Sequence, residues 1–434
     1  MPLASRLITD ITPLRESPHF RRLWVGTTLS AVGGALTMFA LPLQIYDITR
    51  SPFAVGALGI VRLVPTLTVG LLGGALTDAT DRRKLTLLTT FGHATLAAVL
   101  TAQAFAGLSA LWLLYLLAAL SSALSAVSQP ARRALIPSLL RRDQLAAGLA
   151  LNRVSFQVMM TGGPALAGII TAAAGGHLQA CYLIDTISFA GSVYGVARLP
   201  AMPPTPGVAR PGPRAIAQAL GFLRKSPVLA GALLTDLNAT IFALPIALFP
   251  AINAERFGGN PATLGLFTTA IGAGGLVSST FTGPVGRASR QGAVMLGTVA
   301  IWGAAFAGFA LARPLWLVLV LLALAGAADT VTVVLRGTIV QTVTTDEFRG
   351  RVTAAEYVAG AGGDSLGGLE SGAVGSLTSP TIGALSGGVV TVVLAGVLAL
   401  AFPTFARYRS PSATSRTVTG PPASAADQTA PQET

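Results

Sequence analysis

Pro314-Leu-Trp-Leu-Val-Leu-Val-Leu-Leu-Ala-Leu-Ala-Gly-Ala-Ala328 carries no charge, and the apolar run continues to Thr342 with only Asp329 and Arg336 as charged residues. A helix needs roughly 20 mostly apolar residues to cross a hydrocarbon core of about 30 Å, so this stretch reads as a membrane span. Working outward, such runs recur along the whole chain. Between Gly, Pro and Arg punctuation they fall near Phe20–Ile48, Pro52–Thr77, Lys84–Ala106, Ala110–Ile136, Gln144–Ala174 and Leu178–Arg198. After a Pro-rich connector they resume near Pro227–Glu255, Pro261–Thr282, Gln291–Ala312, Pro314–Thr342, Arg349–Thr378 and Pro380–Arg407. The composition agrees: 52% of the 434 residues are hydrophobic and 11% charged, against about 25% charged in soluble domains, and mean hydropathy is +0.66. The sequence therefore predicts an all-α polytopic membrane protein of about twelve transmembrane helices.

The distribution of Lys and Arg gives the orientation, because basic loops stay cytoplasmic. With the N-terminus inside, one set of loops receives Arg82, Arg83, Lys84, Arg132, Arg133, Arg141, Arg142, Arg198 and most later arginines, whereas the opposite loops receive only Arg50, Arg256 and Arg313. Both termini are expected in the cytoplasm of a cell-membrane protein. The N-terminal stretch has no apolar core with a small-residue cleavage site. The net charge of +12 follows from these loops and forms no sustained basic face of the kind that binds nucleic acid. One cysteine and three scattered histidines make no metal site.

Ordered matches repeat along the chain. Phe20-Arg-Arg echoes Leu223-Arg-Lys, Ser51-Pro-Phe-Ala-Val-Gly echoes Asn260-Pro-Ala-Thr-Leu-Gly, Leu111-Trp-Leu echoes Leu315-Trp-Leu, and Arg133, Ile136 and Asp143 match Arg336, Ile339 and Asp346. An even number of helices per repeat gives two halves of the same orientation. The expected organisation is a cytoplasmic segment (1–19), a six-helix half (20–198), a connector with an amphipathic helix (199–226), a second six-helix half (227–407) and a disordered cytoplasmic tail (408–434).

Between the second and third spans stands Gly73-Gly74-Ala75-Leu76-Thr77-Asp78-Ala79-Thr80-Asp81-Arg82-Arg83-Lys84. It resembles the cytoplasmic loop signature of the major facilitator superfamily, with Gly74, Asp78, Arg82 and Arg83 as the matching residues of a gating latch. Two positions depart from that pattern, Ala79 for a basic residue and Asp81 for a glycine. Gly162-Gly163-Pro164-Ala165-Leu166-Ala167-Gly168 is similar to the superfamily's antiporter motif in helix five; Gly163, Pro164 and Gly168 serve either close packing or antiport. The segments Thr12–Trp24, Tyr182–Phe189, Leu233–Thr240 and Thr345–Val352 resemble the enterobactin-exporter-like bacterial branch. That resemblance implies export of a siderophore or drug-like compound in exchange for protons, with the proton gradient as energy source, no cofactor and a monomer in the bilayer.

Ionisable residues within spans are costly and point to function. The candidates for proton coupling are Asp236, Asp329, Glu356, Asp364 and Glu370; Arg62 and Asn238 are candidate polar residues of a cavity. Burial favours the neutral form of a carboxyl group, and Asp236 is the first choice, with Asn238 beside it. A buried ion pair of Asp236 or Asp329 with Arg62 or Arg336 is the other reading. The superfamily arrangement places helices three and six at the periphery, which ranks Asp236 and Arg62 above His93 and Asp185.

Enzymatic function is not expected. Gly363-Asp364-Ser365-Leu366-Gly367 matches a hydrolase string, but a nucleophile elbow needs a strand, a turn and a downstream His, and all three histidines precede Ser365. The only lysines, Lys84 and Lys225, follow arginine, so no phosphate-binding Gly-Lys-Ser/Thr loop exists. The expected function is secondary active export of a small molecule by alternating access; import, passive facilitation or a transport-dead sensor are the alternatives.

Overall fold

The structure, a computed structural model, describes residues 10–202, 221, 226–286 and 288–409; for 71–79, 133, 134, 282, 284, 346, 347, 349–351, 353, 354 and 357 it describes the backbone only. The expected amphipathic helix of the connector and the C-terminal tail lie outside the described residues. The long helices of the first half are α1 (Pro18–Thr49), α2 (Pro52–Ala79), α3 (Arg82–Phe105), α4 (Leu111–Leu139), α5 (Leu145–Ala173) and α6 (Gln179–Ala197). Those that follow the connector are α7 (Pro227–Phe242), α8 (Pro261–Ser279), α9 (Gln291–Leu311), α10 (Leu315–Val343), α11 (Asp346–Leu377) and α12 (Pro380–Ala401).

Five of these helices begin the same way, with a Ser or Asn cap and a proline in the first turn: Ser17-Pro18, Ser51-Pro52, Ser226-Pro227, Asn260-Pro261 and Ser379-Pro380. The cap oxygen accepts from a free first-turn N–H, and proline loses nothing where no intrahelical bond is available. The pairs Ser17/Ser226 and Ser51/Asn260 are equally spaced in the chain, so the internal repeat extends to the start signals of the helices. Between α1 and α2 the turn is only Arg50-Ser51; Arg50 takes a left-handed conformation (φ 51°) and its N–H donates to the Tyr46 carbonyl.

The span expected over Pro227–Glu255 is one span, Pro227–Phe257, but its helix is interrupted. It ends at Phe242, passes through a 3-10 turn at Pro245–Leu248 and resumes as a short helix, Phe249–Phe257. Pro245 and Pro250 remove backbone donors and clash with the preceding turn. The freed Ala243 carbonyl accepts a hydrogen bond from Trp302 Nε1 at 2.6 Å, which satisfies a polar group that lipid could not. Phe249, Phe267, Phe306 and Phe309 pack edge to face around this break.

Among the described residues, eleven helical segments are long and apolar enough to cross a membrane. The exception is α11, which at 32 residues has ample length but carries Glu356, Asp364, Glu370 and many glycines. Its environment accounts for this: α11 lies between α2 of the first half and α7 of the second, so two of its faces meet protein and not lipid.

Helices α1 to α6 pack on one another, α7 to α12 likewise, and the two sets meet along α2–α11 and α5–α8. Glycine makes both seams possible, as small residues do in membrane helix packing. A Cβ on Gly59 would lie 2.8 Å from the Ser365 carbonyl oxygen, and one on Gly168 would lie 2.6 Å from that of Pro261. The Phe53 N–H donates to Ser376 Oγ at 2.9 Å. These contacts gather toward the end of the molecule that carries the α1–α2 turn. At the same end Arg256 ties down the end of α9, donating to the carbonyls of Phe309, Ala310 and Ala312 and to Thr381 Oγ1; a cation here complements the negative helix terminus.

Candidate functional site

Four carboxyl groups and one guanidinium converge inside the second half. Arg336 of α10 donates through Nη1 to Asp236 Oδ2 of α7, and its Nε lies 2.8 Å from Glu356 Oε1 of α11. The second approach is an ion pair without hydrogen-bond alignment, since that Nε has no hydrogen-bond partner. All three side chains are largely withdrawn from solvent, at 16%, 5% and 18% exposure for Arg336, Asp236 and Glu356. Asp329 lies two turns before Arg336 on the same face of α10. Gly363 and Gly367 of α11 face Thr240 of α7, whereas Ser365 and Gly368 face Gly59 and Gly56 of α2; at 100° per residue, Asp364 points between these two seams. Asp329 and Asp364 both interact electrostatically with Asp236 and Arg336, and neither has a hydrogen bond or ion pair among the described residues.

The structure thus brings together Asp236, Asp329, Glu356 and Asp364, and it sets Glu370 apart, with Oε2 buried and unbonded further along α11. Arg336, which the sequence offered as an ion-pair partner of Asp236 or Asp329 and as a repeat match to Arg133, is the hub, and the pair it forms is with Asp236. Asn238 corrects the expectation of a contact to Asp236: two residues on, it faces another side of α7 and donates to the Thr391 carbonyl of α12 at 3.0 Å.

A cavity of about 460 Å³ opens within the first half. Small residues create it: Ser30, Ala31 and Gly34 on α1, and Ser121, Ser122, Ser125 and Ser128 at helical spacing on α4. Arg62 lines it, and so do His93 of α3 and Asp185 of α6, which the superfamily's helix roles ranked lower; Asp236 does not. His93 Nδ1 contacts the Thr89 carbonyl at 2.8 Å and Nε2 contacts Ser125 Oγ at 3.1 Å. A neutral ring that donates through Nδ1 and accepts through Nε2 fits both contacts. Asp185 Oδ2 accepts from Thr37 Oγ1 at 2.5 Å. Arg132 of α4, also in the lining, donates to Thr90 Oγ1 at 3.2 Å. A smaller cavity of about 140 Å³ adjoins it across the seam, shares Met38, Met159 and Met160, and is closed by Ile246, Phe249 and Pro250 of the second half.

Of the expected latch, Gly74 and Asp78 occupy the end of α2, where only the backbone is described. Asp81, the departure from the superfamily pattern, caps α3 by accepting from the Arg83 and Lys84 N–H groups. Arg83 Nη2 donates to the Ala197 carbonyl at the end of α6, at 2.6 Å; Arg82 Nε is buried without a hydrogen-bond partner. Gly163, Pro164 and Gly168 lie in the packing seams: Gly163 against Ala35 of α1, Pro164 against Gly265 of α8, Gly168 against Pro261. Ser365 is mid-helix and donates to the Ala361 carbonyl at 2.9 Å, so the hydrolase string forms no nucleophile elbow.

Comparison with known proteins agrees with this architecture. Residues 8–428 match the family described as transmembrane secretion effector. The enterobactin exporter EntS of Citrobacter koseri is 27% identical over 364 residues, covering 83% of this chain and 86% of that protein. EntS of Shigella boydii is 26% identical over the same extent. Among solved structures, the nucleoside transporter NupG superposes with a TM-score of 0.69 at 16% identity, over 90% of this chain and 100% of that one. A bacterial homologue of the iron transporter ferroportin in an inward-facing state gives 0.67 at 15% identity, over 90% and 99%. The structural likenesses speak to the fold, the family match to the class of protein. This chain is a multi-pass membrane transporter and not an enzyme: it belongs to the transmembrane secretion effector family of the major facilitator superfamily.

Proposed function

We propose that this chain is a proton-coupled exporter of a small organic molecule, a siderophore, secondary metabolite or drug-like compound, working by alternating access. The observation that carries the reading is the cluster around Arg336: Asp236 buried, Asp329 and Glu356 half-buried and Asp364 more open, around one cation within the second half. Two of the acids, Asp236 and Glu356, compete for one guanidinium, and two, Asp329 and Asp364, have no cation of their own. Protonating Asp236 removes its claim on Arg336 and leaves the guanidinium to Glu356 of α11. Because α11 also lies against α2, this exchange changes how the second half is tied to the first. The break in helix seven supplies a joint beside the cluster, since Thr240, against which Gly363 and Gly367 pack, is one turn from Asp236 and close to the break at Ala243.

The exporter assignment draws on the EntS relatives, and orientation on the basic loops, with both termini cytoplasmic. In that orientation the closed seams lie on the outer side, and the arrangement is inward-facing. Protons supply the energy and no cofactor is required; the working unit is a monomer.

Everted vesicles containing the protein, given a panel of siderophores and lipophilic drugs outside and an acidic lumen, test this. Accumulation of at least one compound that collapses when an ionophore dissipates the pH gradient is expected. Accumulation indifferent to the gradient would establish a facilitator instead.

A further inference from the structure

The cavity of the first half has a charge pattern of its own. Its titratable lining is Arg62, Arg132, His93 and Asp185, two arginines against one carboxylate. None of the acids grouped around Arg336 lines it, nor does Glu370, so this cavity is separate from the acid cluster of the second half. Asp185 forms no ion pair with Arg62 among the described residues: its Oδ2 accepts from Thr37 of α1, and its Oδ1 is buried without a hydrogen-bond partner. Arg62 has no ion pair or hydrogen bond through its guanidinium among the described residues. The ionisable group that influences it is the Tyr182 phenol, whose hydroxyl already donates to Gln44 Oε1 at 2.7 Å. Arg132 is similarly underused: one bond reaches Thr90, and its buried Nε has no hydrogen-bond partner.

A guanidinium held inside a membrane protein without a counter-charge is costly, and an acidic group that arrives with the substrate offsets that cost through paired, charge-assisted hydrogen bonds. The rest of the lining is graded. Serine hydroxyls of α4 offer partners to hydroxyl groups, and Met38, Met159 and Met160 lead into the apolar cavity across the seam. Methionine is a soft, adaptable surface for irregular apolar bodies, and about 460 Å³ is the size of a site for a drug-sized molecule.

We infer that this cavity takes an amphipathic organic anion, its acidic group held by Arg62 with Arg132 behind it and its apolar end against the methionines. The inference rests on the transport reading above and names the substrate class for it.

The test is equilibrium binding to the purified full-length protein in lipid nanodiscs. The probes are three aromatic acids, benzoate, salicylate and indole-3-acetate, each paired with its uncharged amide. At least one acid should bind about tenfold or more tightly than its amide. Arg62→Gln should abolish that preference and Arg62→Lys keep part of it; Arg313→Gln, the same charge change on the exposed loop before α10, should leave it intact. Unchanged helix content and melting of each variant exclude misfolding. The inference is overturned if no acid binds more tightly than its amide, whether both bind equally or neither binds, or if Arg62→Gln retains the preference. Flux in the everted vesicles separates the two claims. Gradient-driven flux of neutral compounds without acid preference sinks the anion inference alone, whereas acid-selective binding without any flux sinks the transport reading alone.

Discussion

Replacing Arg336 with methionine keeps a long side chain in place and removes the cation that, among the described residues, pairs with the Asp236 and Glu356 carboxylates. In the native protein the guanidinium is paired with both Asp236 and Glu356, and Asp236 is 4% exposed. Removing one partner of a buried ion pair costs about 3–5 kcal/mol because the remaining charge is left uncompensated; here two carboxylates are left, with Asp329 nearby. At about 2–4 °C per kcal/mol for a unit the size of one half, the apparent melting midpoint should fall by about 6–20 °C. The assay is thermal unfolding in detergent micelles, followed by far-UV circular dichroism. Adding Asp236→Asn to Arg336→Met should recover part of the loss, since a neutral amide needs no counter-ion, giving a coupling of about 1–3 kcal/mol. If the two substitutions add within about 0.5 kcal/mol, Arg336 and Asp236 are not a functional pair and the reasoning about the cluster fails.

Three further expectations follow from the same packing logic. Trp302→Phe should lower stability by about 1–3 kcal/mol in the same melting assay, because it strands the Ala243 carbonyl at the helix-seven break; an unchanged midpoint would mean water or another donor takes over. Gly59→Leu should wedge α2 from α11 at Ser365, costing about 1–3 kcal/mol and abolishing transport in vesicles, so full flux in this variant would show that the seam is not the closed gate. Arg50→Gly, at the left-handed turn between α1 and α2, should raise stability by about 1 kcal/mol, and a lower melting midpoint would show that the lost side-chain contacts of Arg50, to the Asp47 carboxylate and over the Tyr46 ring, outweigh the backbone strain.

Much of the helical architecture was legible because each signal is local. Uncharged runs, Ser-Pro or Asn-Pro starts and arginine-flanked loops mark spans without reference to what they touch. The break in helix seven escaped because Pro227–Glu255 reads as one mostly apolar span, and only Pro245 and Pro250 hint that the chain must turn. The acidity of α11 becomes intelligible only once α2 and α7 are seen to flank it. For the site, each acid within a span was visible one by one, but the meeting of α7, α10 and α11 at Arg336 is a tertiary fact. His93 and Asp185 were demoted by the helix roles implied by the superfamily, whereas the serines of α4, spaced at helical period, were a local sign of a polar interior face. Asn238 shows the converse error: adjacency in sequence places a residue on a different face of a helix.

The most direct test of coupling through the Arg336 cluster is gradient-driven uptake into everted vesicles by the native protein and by Asp236→Asn, with equal amounts of folded protein confirmed in each. The account predicts accumulation by the native chain that depends on the acidic lumen, and a variant that loses this dependence while still allowing downhill equilibration of the same compound. Full gradient-driven accumulation by Asp236→Asn would contradict it.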